Sequence, residues 1–159
     1  MILTTSRKPS RKTRRLARVL AAFMNWEYIT RGKLSLEDLY SMLKKNENLA
    51  IIEEIKGNPA ILKIVNSQGR LILQMKFTVG EIKRIKMDNS PVAFYGKPPF
   101  DPLLLEALPS SKPAAKLVSK LDFKKEVYVR KKDDLVVLEF KYNNELITRL
   151  KVYESRVYI

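Results

Sequence analysis

Seven basic residues fall close together near the start of the chain: Arg7, Lys8, Arg11, Lys12, Arg14, Arg15 and Arg18. Most are arginines, whose planar forks suit two-point contacts with phosphate better than the point charge of lysine. Arg31 and Lys33 follow in the stretch Arg31-Gly32-Lys33, and Glu27 is the one acid among the first 33 residues. This segment therefore carries +8 of the formal net charge of +14. Cations gathered without interspersed acids are the footprint of a polyanionic partner, since an ordinary solvated helix face mixes signs at i, i+4 spacing. On the residues alone, a solvated face and a helix lying on a membrane surface remain as other readings.

The element that must carry these cations is a helix. Ser10 is a good N-cap, and the apolar residues Leu16, Val19, Leu20 and Phe23 follow the i, i+3, i+4, i+7 pattern of one buried stripe. The spacing predicts a helix over 11–24. At about 100° per residue, Arg11, Arg14, Arg15 and Arg18 cluster roughly 140° away from that stripe. Arg11 and Lys12 sit in the first turn, where cations oppose the macrodipole at a cost of roughly a few tenths of a kcal/mol each. That placement makes sense if phosphate docks at the helix N-terminus, where free N–H groups, the dipole and these side chains act together.

Other chemistry is narrowed by what is missing. The chain has neither cysteine nor histidine, so no disulfide, no Cys/His zinc site, no thiol nucleophile and no imidazole base is available. No phosphate-binding glycine loop, nucleophile elbow or aromatic RNA-recognition strand motif occurs. Glu53-Glu54 and Asp133-Asp134 are adjacent pairs, and neighbours on a strand point to opposite faces. Glu53, Glu54 and Asp88 are the conceivable metal ligands of a rival reading, an RNA-processing nuclease. Trp26, Phe94, Tyr95 and Phe100 could stack on bases, but without a matching motif they suit a core equally well. No cofactor, catalytic residue or metal site is expected.

The rest of the chain supplies the frame. Its 159 residues are 45% hydrophobic, enough for a core of ordinary size in one domain. Residues 1–5 read as a strand and 27–30 as another. A second helix begins at Ser35, with Asp38 at capping-box spacing, Leu34 and Leu39 placed as a staple, and Leu36, Leu39, Tyr40 and Leu43 as its apolar stripe. Strands are expected over 50–55, 60–66 and 71–79, separated by Gly57-Asn58-Pro59 and Ser67-Gln68-Gly69. A second half over 89–159 then repeats the plan of 1–88: a strand at 92–95, helical segments at 102–108 and 114–121, and strands at 127–130, 135–142 and 146–153. Asn143-Asn144 suits the last hairpin. No apolar run approaches the roughly 20 residues needed to cross a bilayer, and the start lacks the pattern of a signal peptide, so a cytoplasmic protein is expected.

The opening Ile2-Leu3-Thr4-Thr5-Ser6-Arg7-Lys8-Pro9-Ser10 running into a basic helix resembles the start of the Brix domain. The Arg31-Gly32-Lys33 loop, the entry to the second helix and Gly57-Asn58-Pro59 match in order over roughly the first 80 residues. The resemblance implies an α/β fold of two similar halves, akin to the anticodon-binding domain of class II aminoacyl-tRNA synthetases. It implies an RNA-binding protein of ribosome biogenesis that holds precursor rRNA without catalysis, and the short archaeal form of the family. The partners expected are precursor rRNA or other structured RNA and ribosome-assembly proteins, with no membrane and no small-molecule substrate. An adaptor binding mainly protein is the alternative. The expected RNA contacts are Arg7, Lys8, Arg11, Lys12, Arg14, Arg15 and Arg18, extended by Arg31 and Lys33.

Overall fold

A computed structural model describes residues 1–109 and 123–158 of the chain. The chain opens with strand β1 (Ile2–Thr5), helix α1 (Arg11–Met24), strand β2 (Glu27–Tyr28) and helix α2 (Leu36–Met42). Strands β3 (Leu49–Ile55), β4 (Asn58–Val65), β5 (Leu71–Ile82) and β6 (Val92–Tyr95) follow, then a 3-10 turn at Pro102–Leu105. Strands β7 (Lys125–Lys132), β8 (Leu135–Tyr142) and β9 (Glu145–Val157) close the chain. All nine strands form one mixed sheet in the order β2-β1-β3-β4-β5-β9-β8-β7-β6.

The pairing is mirrored about the centre of the sheet. Strand β1 runs parallel to β3, and two antiparallel pairings lead on to β5. Strand β6 runs parallel to β7, and two antiparallel pairings lead on to β9. The antiparallel β5–β9 pair joins the two sets. Tight turns carry the hairpins: Lys56 and Gly57, and Asn143 and Asn144, all take positive φ as a two-residue type I′ connection demands.

The stripe on α1 packs as its spacing requires. Leu16, Val19, Leu20 and Phe23 are all buried, and Phe23 meets Phe140 of β8 edge-on with ring centroids 5.3 Å apart. Their cluster includes Ala50, Leu62, Leu73 and Phe77 from one side of the sheet and Val127, Leu138 and Leu150 from the other. One helix thus shields both sets of strands, each fully buried Leu or Phe contributing roughly 1.5–3 kcal/mol. Its C-terminal end is fixed by the second set. The buried Lys125 donates to the Ala22 carbonyl at 3.0 Å, to Asn25 Oδ1 at 2.7 Å and to the Asp88 carbonyl. A cation there also favours the negative end of the helix dipole. Trp26 donates to the Leu105 carbonyl at 3.2 Å.

On the opposite face α2 covers only the β1–β3 end, where Leu39 packs with Ile2, Leu49, Ile51 and Val65. Its capping box forms as expected from Ser35 and Asp38. Leu36, expected in the apolar stripe, is instead 44% exposed, because this helix is too short to bury two turns. The helical segment expected over 102–108 contracts to the 3-10 turn. Glu106 takes φ +59 and ends it, and Leu108 leaves to bridge Ala93 of β6. The helix expected at 114–121 lies outside the described residues.

Candidate nucleic-acid interface

Helix α1 is the crossover between the parallel strands β1 and β2, so its N-terminus and the C-terminal ends of those strands meet at one corner. In open α/β sheets such a corner is where ligands bind. A cleft of about 230 Å³ opens there, lined by Thr5, Lys8, Pro9, Arg14, Tyr28, Thr30, Arg31 and Gly32. Three cations from three separate segments, Lys8, Arg14 and Arg31, therefore share one opening.

The expected contacts divide into those left free for a partner and those spent on the fold. Arg7, Lys8, Arg11, Arg14, Arg15, Arg18 and Lys33 are exposed. Among the described residues none of these seven forms an ion pair with a carboxylate. Arg18 lies over the Tyr28 ring, 5.6 Å from its centroid, which steers that guanidinium toward the cleft side of the helix. Lys12 is half-buried and donates to the Val79 carbonyl at 3.0 Å, tying α1 to β5. Arg31 is buried, donating from Nε to the Leu34 carbonyl at 2.8 Å and from Nη1 to the Thr5 carbonyl at 3.0 Å. Burial and the neighbouring Arg7 push its pKa below the ordinary value, against the pull of Glu53 and Tyr40. Arg31 thus forms the wall of the cleft as well as part of its charge.

At the N-terminus of α1, where phosphate was expected to dock, Glu54 takes one of the backbone donors. Its carboxylate accepts the Ser10 N–H, while Ser10 Oγ accepts the Thr13 N–H at 3.2 Å. Burial would raise the pKa of Glu54, but hydrogen bonds from Thr13 and Ser10 outweigh it and hold the carboxyl below its ordinary value. One carboxylate of the chain itself thus lies at the positive end of the dipole. The basic residues flank that end of the helix and face outward instead.

The carboxylates of the nuclease reading go separate ways. Glu53 pairs with Lys63 at 2.7 Å, Glu54 serves α1, and Asp88 pairs with Lys124 at 2.9 Å. Among the described residues no group of three His, Cys, Asp or Glu side chains could hold a metal ion. Trp26, Phe94 and Phe100 are core residues, the last two in edge contact at 6.0 Å. Tyr95 stacks on Tyr128 at 5.2 Å. No described helix is long and apolar enough to cross a membrane.

Sequence reasoning missed the role of Tyr28, whose position under Arg18 depends on the β1–β2 pairing. It also missed cations on the far strands. Arg130 and Lys132 on β7, and Arg149 and Lys151 on β9, share a face of the sheet because β8 aligns them: Arg130 pairs with Val137, which pairs with Lys151. The signal was their i, i+2 spacing within each strand.

No family model matches the chain. It is 48% identical over 151 residues to a probable Brix domain-containing ribosomal biogenesis protein of Archaeoglobus fulgidus, covering 95% of this chain and 94% of the relative. A relative of the same description from Methanococcus maripaludis is 43% identical over 79 residues, 50% of this chain and 46% of that one. Among solved structures, an archaeal Imp4-like protein, Mil, matches with a TM-score of 0.77 at 25% identity, over 99% of this chain and 100% of that one. A probable ribosomal biogenesis protein from Aeropyrum pernix shares the fold with a TM-score of 0.62 at 20% identity, over 95% of this chain and 93% of that one.

Proposed function

This chain belongs to the family of Brix domain-containing ribosomal biogenesis proteins, and from that premise we propose that it binds precursor rRNA through the basic corner around α1. Its role lies in ribosome biogenesis, as the names of its relatives support. The observation that carries the RNA reading is the row of exposed arginines on α1, without carboxylate partners among the described residues, beside a cleft walled by Lys8, Arg14 and Arg31. A protein that only needed solubility would intersperse acids there. Arg7, Arg11, Arg14, Arg15 and Arg18 grip phosphates, Lys8 and Arg31 form the cleft, Lys33 extends the patch, and Lys12 spends a donor on β5.

Phosphate contacts set register and orientation, not sequence. The protein therefore holds a folded RNA and assists its processing or assembly without bond-breaking chemistry, in the cytoplasm. The 1–88 and 89–159 halves act as one domain, each of the type found in synthetase anticodon-binding domains.

The test is charge reversal of Arg14, Arg15 and Arg18 to Glu. Association with a precursor-rRNA transcript is lost while the circular-dichroism spectrum and thermal transition persist. Unchanged association of the folded variant would remove this corner from the reading. Incubated with the transcript and magnesium, the wild-type protein leaves it intact; cleavage abolished by a carboxylate substitution would point to an enzyme instead.

A further inference from the structure

The sheet face opposite α1 is covered by α2 only at the β1–β3 end. Farther along, between β7 and β9, lies a cleft of about 420 Å³ lined by Arg130, Lys131, Lys132, Glu139, Arg149 and Lys151, with Val137 at its floor. Five cations thus surround one carboxylate. That carboxylate is unusual in its surroundings: Glu139 is 1% exposed, yet it sits at the centre of an otherwise charged surface.

Glu139 holds two arginines at once. Its Oε1 accepts from Nε of Arg130 at 2.6 Å and from Nη2 of the same residue, and its Oε2 accepts from Nε of Arg149 at 2.7 Å. The arginine side chains themselves remain 65% and 52% exposed. Among the described residues Arg149 is held by Nε alone, which leaves both of its Nη groups available, as is Nη1 of Arg130. One arginine would neutralise the buried acid; the second leaves a surplus of charge with fixed geometry. Three acids of these strands are engaged elsewhere, while Asp133 and Asp134, in the turn directly after Lys132, offset part of the charge at that end of the face. Glu145 is paired with Lys83, Glu154 with Lys76 at 3.3 Å, and Glu126 accepts from the Tyr128 hydroxyl at 2.9 Å. Beside the cleft, Lys141 lies 4.9 Å from the centroid of Tyr128, whose ring stacks on Tyr95.

We propose that this cleft is a second phosphate clamp for RNA, in which Glu139 is a positioning residue that aims Arg130 and Arg149 while Lys132 and Lys151 add charge at the rim. The inference rests on the RNA-binding reading above and extends it to a second, separate stretch of the same RNA. Planar forks held by a common carboxylate suit the fixed spacing of phosphate oxygens along a nucleic-acid backbone. Preorganised donors also lose less side-chain freedom on binding than free arginines do.

Two variants of the full chain test it, with a precursor-rRNA transcript as probe. Lys132→Gln with Lys151→Gln leaves Glu139 and its two arginines untouched. It lowers affinity several-fold and reduces the slope of log affinity against log salt by about 1.4–1.8, at about 0.7–0.9 for each phosphate no longer neutralised. Glu139→Gln makes the protein more positive yet weakens binding, because the arginines lose their aim; a purely electrostatic surface would bind more tightly. Wild-type slope in the lysine variant, or tighter binding in a folded Glu139→Gln variant, overturns the clamp. If the lysine variant instead loses binding only to polyglutamate, the face serves an acidic protein and the clamp also falls. Loss of binding in the Arg14, Arg15, Arg18 reversal with neither of these variants affected refutes this inference alone. A wild-type protein that ignores the transcript refutes both readings.

Discussion

Arg11, Arg14 and Arg15 stand on the solvent face of α1 with no carboxylate partner among the described residues, whereas Arg130 and Arg149 share the buried carboxylate of Glu139. The two regions carry charge of the same sign and hold it in opposite ways. On α1 the helix period spreads the guanidiniums along a ridge, and the arginines keep their rotamer freedom. On the β7–β9 face, strand pairing brings two guanidiniums to one acid and fixes their direction. The first arrangement maximises long-range attraction, which speeds encounter and falls steeply with salt. The second gives up one positive charge for geometry. Arg31 stands between them: it lies in the basic corner, but its donors serve the Thr5 and Leu34 carbonyls.

The largest effect that sharpens this contrast is the charge reversal of Arg14, Arg15 and Arg18. Removing three phosphate-binding cations and putting repulsion in their place weakens transcript binding by about a hundredfold or more at low salt, while the thermal transition stays within a few degrees. Filter binding beside a thermal melt checks both halves of that statement.

Lys125→Met comes next and acts on stability. The lysine ties the C-terminal end of α1 to β7 through the Ala22 carbonyl, Asn25 and the Asp88 carbonyl. Its loss leaves these acceptors without their donor and costs about 2–3 kcal/mol in a denaturant titration. Burial works against the charged form of this lysine and lowers its pKa, partly offset by the charge of Asp88.

Arg31→Ala breaks the corner in a different way from the α1 reversal. Two carbonyls lose their donor, and stability falls by about 1–3 kcal/mol. The salt slope of RNA binding falls by about one phosphate's share at most, since Arg31 contributes one cation to the cleft. A full loss of binding by the folded variant would mean that Arg31, and not the α1 ridge, carries the affinity.

The smallest effect concerns pH. Glu54 has a depressed pKa in the folded chain, so the stability it contributes is present above its unfolded value, about 4.3, and is lost as pH falls through the lower folded value. Glu54→Gln removes that component: its stability declines less steeply than that of the wild type below about pH 4.3. Parallel acid-unfolding curves for the two proteins would show that Glu54 is not the anion serving α1.

Much of the α1 corner was legible in the residues, because a helix writes its faces at fixed spacing. Ser10 marked the N-cap, Leu16 and Phe23 marked the buried stripe, and the arginines marked the outer face. What spacing could not show is which cations the fold consumes. Lys12 reaches β5 and Arg31 reaches β1, both through interactions set by tertiary packing. Glu54 was read as half of an adjacent acidic pair, and only the packing of β3 against α1 made it the helix's own anion. The β7–β9 clamp stayed hidden for the same reason: Arg130, Glu139 and Arg149 meet only once three strands are in register. Leu36 and the segment after Pro102 followed local pattern in the sequence, and helix length and the bridge to β6 overrode it.

The most direct test of the central claim is a salt titration of transcript binding by the wild-type protein and by the Arg14, Arg15, Arg18 reversal, with duplex DNA of equal length as competitor. Binding through the α1 ridge predicts a steep wild-type slope, preference for the transcript, and a slope shallower by about 2–3 in the variant, at about 0.7–0.9 for each phosphate no longer neutralised. Equal slopes in the two proteins, or equal binding to RNA and DNA, would contradict it.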